Sequence, residues 1–576
     1  MWHVLIESEN YHALQLLEYL YARQVDCIYI DPPYNTGARD WKYNNDYVDS
    51  SDSYRHSKWL SMMEKRLKLA KKLLNPDNSV LICTIDEKEY LHLGCLLEQL
   101  FPEANIQMIS SIIFQAGASR EKSFSRTNEY LFFVQFGHSS VQKLPLSNEW
   151  KFGKSNKSKK SINWALLRRG GTSDLRTEVP SLFYPIIFDK TGKKIKGVGD
   201  PLPKNLHPKA ALEIVNDEIH LWPFKQNNTE GRWQISPSKF LYKWKNGFVK
   251  VGKKTDTTIT IYYLKEAEEN KVKNGLVTIV DREKINGTII TDDSSYEHSF
   301  IPGSQWNIES HNASIHGSSL LNKIFPVKRF SFPKSLYAVY DALRFFVANK
   351  SNALILDFFA GSGTTLHAVN LLNANDHGNR RCILITNNEV SESESKELKA
   401  KGYSPGDDEW EKLGIAHYVT WPRTVCSILG KDINDKPLGG GYLNSNLSLA
   451  DGFKTNAVFF KLSFLDKDNV ALGRQFKELL PLLWMKAGCI SPCPVLDLPS
   501  LPEMLIYPEN NFAVLINEYA YLEFKNKLEK LKSIEYAFIV TNSRDGYREM
   551  ANDLKIPKKY QLYRDYLDNF RINKWS

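Results

Sequence analysis

The chain has 576 residues, 42% of them apolar and 24% charged, which excludes a disordered polymer and leaves room for two to four domains of roughly 100–200 residues each. Its net charge of +9 is a mild basic excess that admits nucleic acid as a partner without requiring it. The 7 cysteines are scattered with no CxxC and no accompanying histidine cluster, so reduced thiols and no metal site are expected; no apolar run reaches the ~20 residues of a membrane span.

Met1-Trp2-His3 leads directly into a strand-like segment, so no secretory leader is expected, and a cytoplasmic protein follows. Residues 1–136 read as alternating helices and strands. Asn10 is placed to cap a helix carrying Ala13, Leu14, Leu16, Leu17 and Leu20. Cys27–Ile30, Val80–Cys83 and Tyr130–Val134 are short apolar runs of the buried-strand kind, and Trp59, Met62, Met63, Leu67 and Leu74 mark a helix between the first two. Such alternation predicts a mostly parallel sheet with both faces covered.

From 137 to 325 the apolar runs shorten and Lys, Gly, Asn and Trp become frequent. Basic clusters, including the run 151–161, alternate with Trp222, Trp233, Tyr242, Trp244 and Phe248. Two readings stand for these aromatics: the core of a β-rich insert, or surfaces for nucleic-acid contact. Lys157, Lys159, Lys160, Arg168 and Arg169 are the candidate DNA contacts. The α/β pattern returns over 326–450, with strands at Ala353–Leu356 and Cys382–Ile385. Residues 451–576 predict a small α/β module without a catalytic constellation. Its helix over 518–532 carries Leu522, Phe524, Leu528 and Leu531, a stripe that suits either packing or a dimer or partner surface.

Two motifs carry chemistry. Asp31-Pro32-Pro33-Tyr34 follows the strand 27–30, and ligands of open parallel sheets sit at the carboxyl ends of strands. Neither proline has an N–H to donate, so a Pro32 carbonyl beside the Asp31 carboxylate suits the two hydrogens of an exocyclic amine. The Tyr34 ring offers a base a stacking face worth ~1–3 kcal/mol. A plain strand-to-turn proline pair is the alternative. The second motif, Asp357-Phe358-Phe359-Ala360-Gly361-Ser362-Gly363-Thr364-Thr365, runs from a strand through a glycine turn into a helix. Leu366 stands where a dinucleotide fingerprint has its third glycine, and no P-loop lysine follows. Asp357 suits a ligand ammonium group and Glu389 suits ribose hydroxyls, charges that fit S-adenosylmethionine better than a pyrophosphate.

Together the Asp-Pro-Pro-Tyr and F-x-G-x-G motifs (Phe359, Gly361, Gly363), in this order and around a long insert, resemble the β group of DNA amino-methyltransferases. The strings Ile30–Gly37 and Leu356–Thr365 resemble the modification subunits of type III restriction–modification systems. Thr127-Asn128-Glu129-Tyr130 resembles that family's strand start before the target-recognition insert, and Phe332-Pro333-Lys334 its segment beside the cofactor site. Ser8-Glu9-Asn10 stands where Gly-Asp-Asn is common, and relatives carry further residues ahead of this segment.

The resemblance implies a Rossmann-like α/β methyltransferase fold of permuted motif order, with a target-recognition insert and a C-terminal α/β module. It implies that Asp31, Pro32, Pro33 and Tyr34 handle a flipped base. Asp357, Phe359, Ala360, Gly361, Gly363 and Thr364, with Lys334 and Glu389, would hold S-adenosylmethionine. The implied reaction is site-specific methylation of adenine N6 in double-stranded DNA. The alternatives are methylation of cytosine N4 and an inactive DNA-binding subunit. The implied partners are DNA, a second copy of the chain and a separate helicase–nuclease restriction subunit.

Overall fold

A computed structural model of the chain describes residues 2–36, 38–43, 46–117, 124–150, 162–273, 277–292, 299–463, 476–497 and 500–562. The chain forms two compact units, Met1–Trp150 with Ile301–Ser576, and Lys151–Phe300. No helix among the described residues is long and apolar enough to cross a membrane.

A nine-stranded sheet organises the first unit. In chain order it contains β1 (Trp2–Glu7), β2 (Cys27–Ile30), β3 (Asn78–Ile85), β4 (Asn105–Ile112), β5 (Asn128–Gly137), β6 (Gln305–Trp306), β7 (Leu354–Asp357), β8 (Arg381–Thr386) and β9 (Asn456–Lys461). Their spatial order is β6-β4-β5-β3-β2-β7-β8-β1-β9. Only β5 runs against its neighbours. β2 and β7 are buried at every position, as strands covered on both faces must be.

Connections from β2 lead one way across the sheet, through α2 (Arg55–Leu73) to β3 and through α3 (Tyr90–Leu100) to β4. The connection from β7 leads the other way, through α5 (Thr364–Asp376) to β8, with α4 (Leu336–Val347) packed beside it. Right-handed crossovers in opposite directions put their helices on opposite faces. The sheet therefore changes direction between β2 and β7, and a crevice opens at such a switch point beyond the strand ends.

Local chemistry differs from expectation at the first helix, α1 (Asn10–Tyr21). Its cap is Glu9, whose carboxylate accepts from the backbone N–H groups of Tyr11 and His12. Asn10 is inside the helix, and its side-chain amide donates to the Phe358 carbonyl at 2.9 Å.

The insert is shorter than the expected 137–325. Trp150 lies 5.2 Å from the Trp306 ring and 5.6 Å from Phe345, which keeps both flanks of the insert in the first unit. Among the described residues the second unit builds three antiparallel sheets, of four, three and two strands. Its core gathers Tyr184, Phe188, Trp233, Phe240 and Ile261. Trp222, Trp233 and Phe248 are buried, so these aromatics serve as core, whereas Tyr242 is 45% exposed.

The expected boundary at 450/451 cuts across a sheet. β9 pairs in parallel with the whole of β1, from Trp2–Asn456 to Glu7–Lys461. Farther on, β10 (Met504–Tyr507), β11 (Phe512–Leu515), β12 (Tyr536–Val540) and β13 (Lys558–Leu562) form a four-stranded sheet in that order. Alternate residues of β11 face opposite ways. Ala513 and Leu515 pack on α7 (Tyr521–Glu529) through Phe524 and Leu528, while Phe512 and Val514 join the main core. Of the two readings of this stripe, packing is thus largely the one it serves; of its members Leu522 is 72% exposed.

Candidate active site

The two motifs emerge side by side. β2 pairs with β7 so that Ile28 lies opposite Leu356, and each strand ends within three residues of that pair. Asp31 follows one strand and the glycine turn follows the other. Phe359 and Tyr34 both pack against the main core.

Around Asp31 the side chains form a closed polar network. Its Oδ1 accepts from the Thr84 hydroxyl at 2.6 Å, at the end of β3, and stands 3.2 Å from Lys334 Nζ. Lys334 also meets Glu129 Oε2 at 2.5 Å and the Tyr34 hydroxyl. The Tyr34 hydroxyl donates to the same Glu129 oxygen at 2.8 Å, and the lysine ammonium lies 4.6 Å from the Tyr34 ring centre. Burial opposes the charge on Lys334, but Asp31 and Glu129 outweigh it and hold its pKa above the usual lysine value. Trp59 Nε1 donates to the Pro33 carbonyl at 2.7 Å and so fixes the proline turn. Pro32 is buried beneath it.

The second motif is braced from inside. Asp357 is buried; one carboxylate oxygen accepts from the Phe359 N–H at 2.9 Å and the other from the Thr365 hydroxyl at 2.6 Å. Burial pushes its carboxyl up to about 7, against those two hydrogen bonds, and the nearby Asp31 charge adds to the rise. Gly361 and Gly363 have φ of 49° and 77°, the left-handed region that favours glycine. A Cβ on Gly361 would lie 3.5 Å from the Phe330 ring. The Ala360 N–H donates to the Ile385 carbonyl at 3.1 Å, tying the turn to β8. Thr420 donates to the Gly361 carbonyl at 2.7 Å.

Arg423, on α6 (Trp421–Leu429), supports the turn from behind. Its Nη1 reaches the Ser362 and Thr364 hydroxyls, each at 2.7 Å. It is buried, which pulls its pKa down to about 10, and its Nε and Nη2 have no hydrogen-bond partner among the described residues.

Of the residues singled out in the sequence, Asp31, Pro32, Pro33, Tyr34, Phe359, Ala360, Gly361, Gly363 and Thr364 meet at the switch point. Two stand otherwise than expected, and Glu389 lies after the strand, as expected. Asp357 is turned into its own loop instead of standing open to an ammonium group. Lys334 reaches the Asp31 side of the crevice rather than the glycine turn. The segment between Phe330 and Lys334 therefore runs from one motif to the other, with Phe332 in between at φ 60° and 92% exposed. Glu389 lies beyond the end of β8, where its carbonyl accepts from the Ile415 N–H at 3.0 Å.

Arg168 gives one guanidinium arm to the Phe224 carbonyl at 2.7 Å, and the Arg169 N–H donates to the Arg232 carbonyl at 2.9 Å. Lys157, Lys159 and Lys160 fall outside the described residues. Thr84, Thr420 and Arg423 were not singled out in the sequence, and Trp59 was read there only as part of a helix's apolar face. Glu129 was within reach, since it belongs to the Thr127–Tyr130 pattern already noted.

Comparison with known proteins identifies the family. The chain is 29% identical over 387 residues to the type II methyltransferase M.KpnI of Klebsiella pneumoniae, covering 66% of this chain and 79% of that protein. It is 26% identical over 431 residues to the Mod subunit of the type III restriction-modification enzyme EcoPI of Escherichia phage P1, covering 69% of this chain but 59% of the Mod subunit. A solved M1.HpyAVI–SAM complex aligns over 67% of this chain and 94% of its own at 10% identity, with a TM-score of 0.26, too low to bear on the argument. The DNA methylase family matches residues 25–397, the span that carries both motifs and the insert between them, and the chain belongs to that family.

Proposed function

We propose that this DNA methylase transfers a methyl group from S-adenosylmethionine to the N6 amine of adenine in double-stranded DNA. The carrying observation is the adjacency of Asp31–Tyr34 and the Gly361–Gly363 turn at one switch point. The cradle fits a nucleoside methyl donor: left-handed glycines leave backbone approachable, and the first turn of α5 directs N–H groups toward the crevice. Phe359, Ala360, Gly361, Gly363 and Thr364 would hold it, with Glu389 toward the ribose. Asp357 shapes the turn through Thr365 and the Phe359 N–H. When bound, the donor supplies an electrophilic methyl group.

The chain's own residues then orient the amine. A base inside a duplex must leave the stack to reach them. The Asp31 carboxylate and the Pro32 carbonyl accept the two amine hydrogens, which turns the nitrogen lone pair toward the glycine turn. Tyr34 stacks on the ring. Lys334, shared by Asp31 and Glu129, fixes the position of the Asp31 carboxylate. Residues 151–300 supply the phosphate and base-edge contacts that choose the site. By likeness to the Mod subunits, the chain works within a restriction–modification system as paired copies beside a restriction subunit.

The test is methylation of DNA by the full chain with a labelled donor, followed by digestion to nucleosides. Label in N6-methyladenine is expected. Label in N4-methylcytosine would replace the adenine assignment, and no label with intact donor binding would indicate a binding subunit.

A further inference from the structure

We propose that His56, Glu89 and His92 form a binding site for a divalent transition metal of the zinc class beside the Asp31–Asn35 turn. The methyl transfer described above uses none of them. His56 lies on the first turn of α2, and Glu89 and His92 flank the start of α3. The Glu-x-x-His spacing brings two side chains to one helical face, an arrangement that recurs in carboxylate–histidine metal proteins. One ligand atom from each of the three residues lies within 4.8 Å of the others. The two imidazole rings are 4.8 Å apart, and His56 Nδ1 is 2.5 Å from Glu89 Oε1.

An independent observation points the same way. The Glu89 side chain is fully buried, and its Oε2 has no hydrogen-bond partner among the described residues. A buried carboxylate with an unpaired oxygen is costly, and a dication offsets that cost. Asn35 Nδ2 donates to Oε1 at 2.5 Å, the kind of outer contact that orients a ligating carboxylate. Two imidazoles and one carboxylate suit zinc and the later first-row metals; magnesium and calcium prefer oxygen alone.

Bonds of about 2.0–2.1 Å need donor atoms about 3.3 Å apart. The His56–Glu89 contact must therefore open slightly while His92 swings inward. The His56 side chain is 35% exposed and has room to do so. Asn35 directly follows Tyr34 and has a φ of 54°, so an occupied site would brace the turn that carries Asp31.

The experiment uses the full chain, stripped by chelation and titrated with zinc chloride in a calorimeter, with cobalt absorption as a second signal. One zinc per chain at micromolar affinity or tighter is expected. His92→Ala, which leaves the His56–Glu89 contact in place, should weaken binding by about 100-fold or more, beyond what loss of an outer contact costs. The double variant His56→Ala/His92→Ala should abolish both the heat and the cobalt band, with circular dichroism confirming the fold. Absence of zinc binding by the intact chain would overturn the site. So would equal binding by the double variant.

Discussion

The Asp31 carboxylate contacts Thr84 and Lys334 but no part of the glycine turn. Asp31→Ala is therefore expected to lower methyl transfer by about 100-fold or more while leaving donor affinity nearly unchanged; calorimetry beside a turnover assay separates the two. Gly361→Val should act the other way round and weaken donor binding first, because a branched side chain is strained at φ 49°. Unchanged donor affinity in that variant would remove Gly361 from the site. Asp357 has a pH signature. Its carboxyl is raised from 3.8 to about 7 by burial, so its stabilising contribution is full below about pH 4 and is lost as pH rises through 7. The slope approaches about 1.4 kcal/mol per pH unit between those limits. Unfolding free energies of Asp357→Asn should lack this slope, and an identical slope in both proteins would contradict the assignment. The motif residues were legible because each follows a recognisable strand. Lys334 was placed on the wrong side of the crevice because chain order does not say where a long side chain ends. Thr84 and Arg423 carry no local pattern at all; only the fold brings them to the motifs.

At the scale of elements, the strands and their alternation with helices were readable from apolar runs, since β2, β3, β7 and β8 are buried throughout or nearly so. Boundaries were not. β9 has the burial of a half-covered edge strand, and nothing near 451 announces that it returns to β1. Beyond it, Trp484 lies buried within 6.3 Å of the Trp2 ring, and the Tyr21 hydroxyl donates to the Met485 carbonyl at 2.7 Å. A chain ending near Tyr442 would lose an edge strand and uncover this core. Such a truncation is expected to lower the melting temperature sharply or to prevent soluble expression. A truncated chain with an unaltered melting temperature would show that the C-terminal residues are dispensable for the methyltransferase core.

The whole molecule divides its work between the unit that holds the two motifs and the unit Lys151–Phe300. Neutralising Lys157, Lys159 and Lys160 is expected to weaken binding to all DNA sequences alike. If all three contact phosphates, the salt dependence should flatten by up to about 3 units of slope. Unaltered affinity and slope would assign that segment no part in DNA binding. The central claim is that one crevice joins an amine-orienting turn to a methyl-donor turn for adenine. Its most direct measurement is nucleoside analysis of DNA methylated by the full chain, with Asp31→Ala in parallel. The account predicts label in N6-methyladenine from the wild-type chain and less by about 100-fold or more from the variant, although both bind the donor. Label in another nucleoside, or equal N6-methyladenine from both chains, would contradict it.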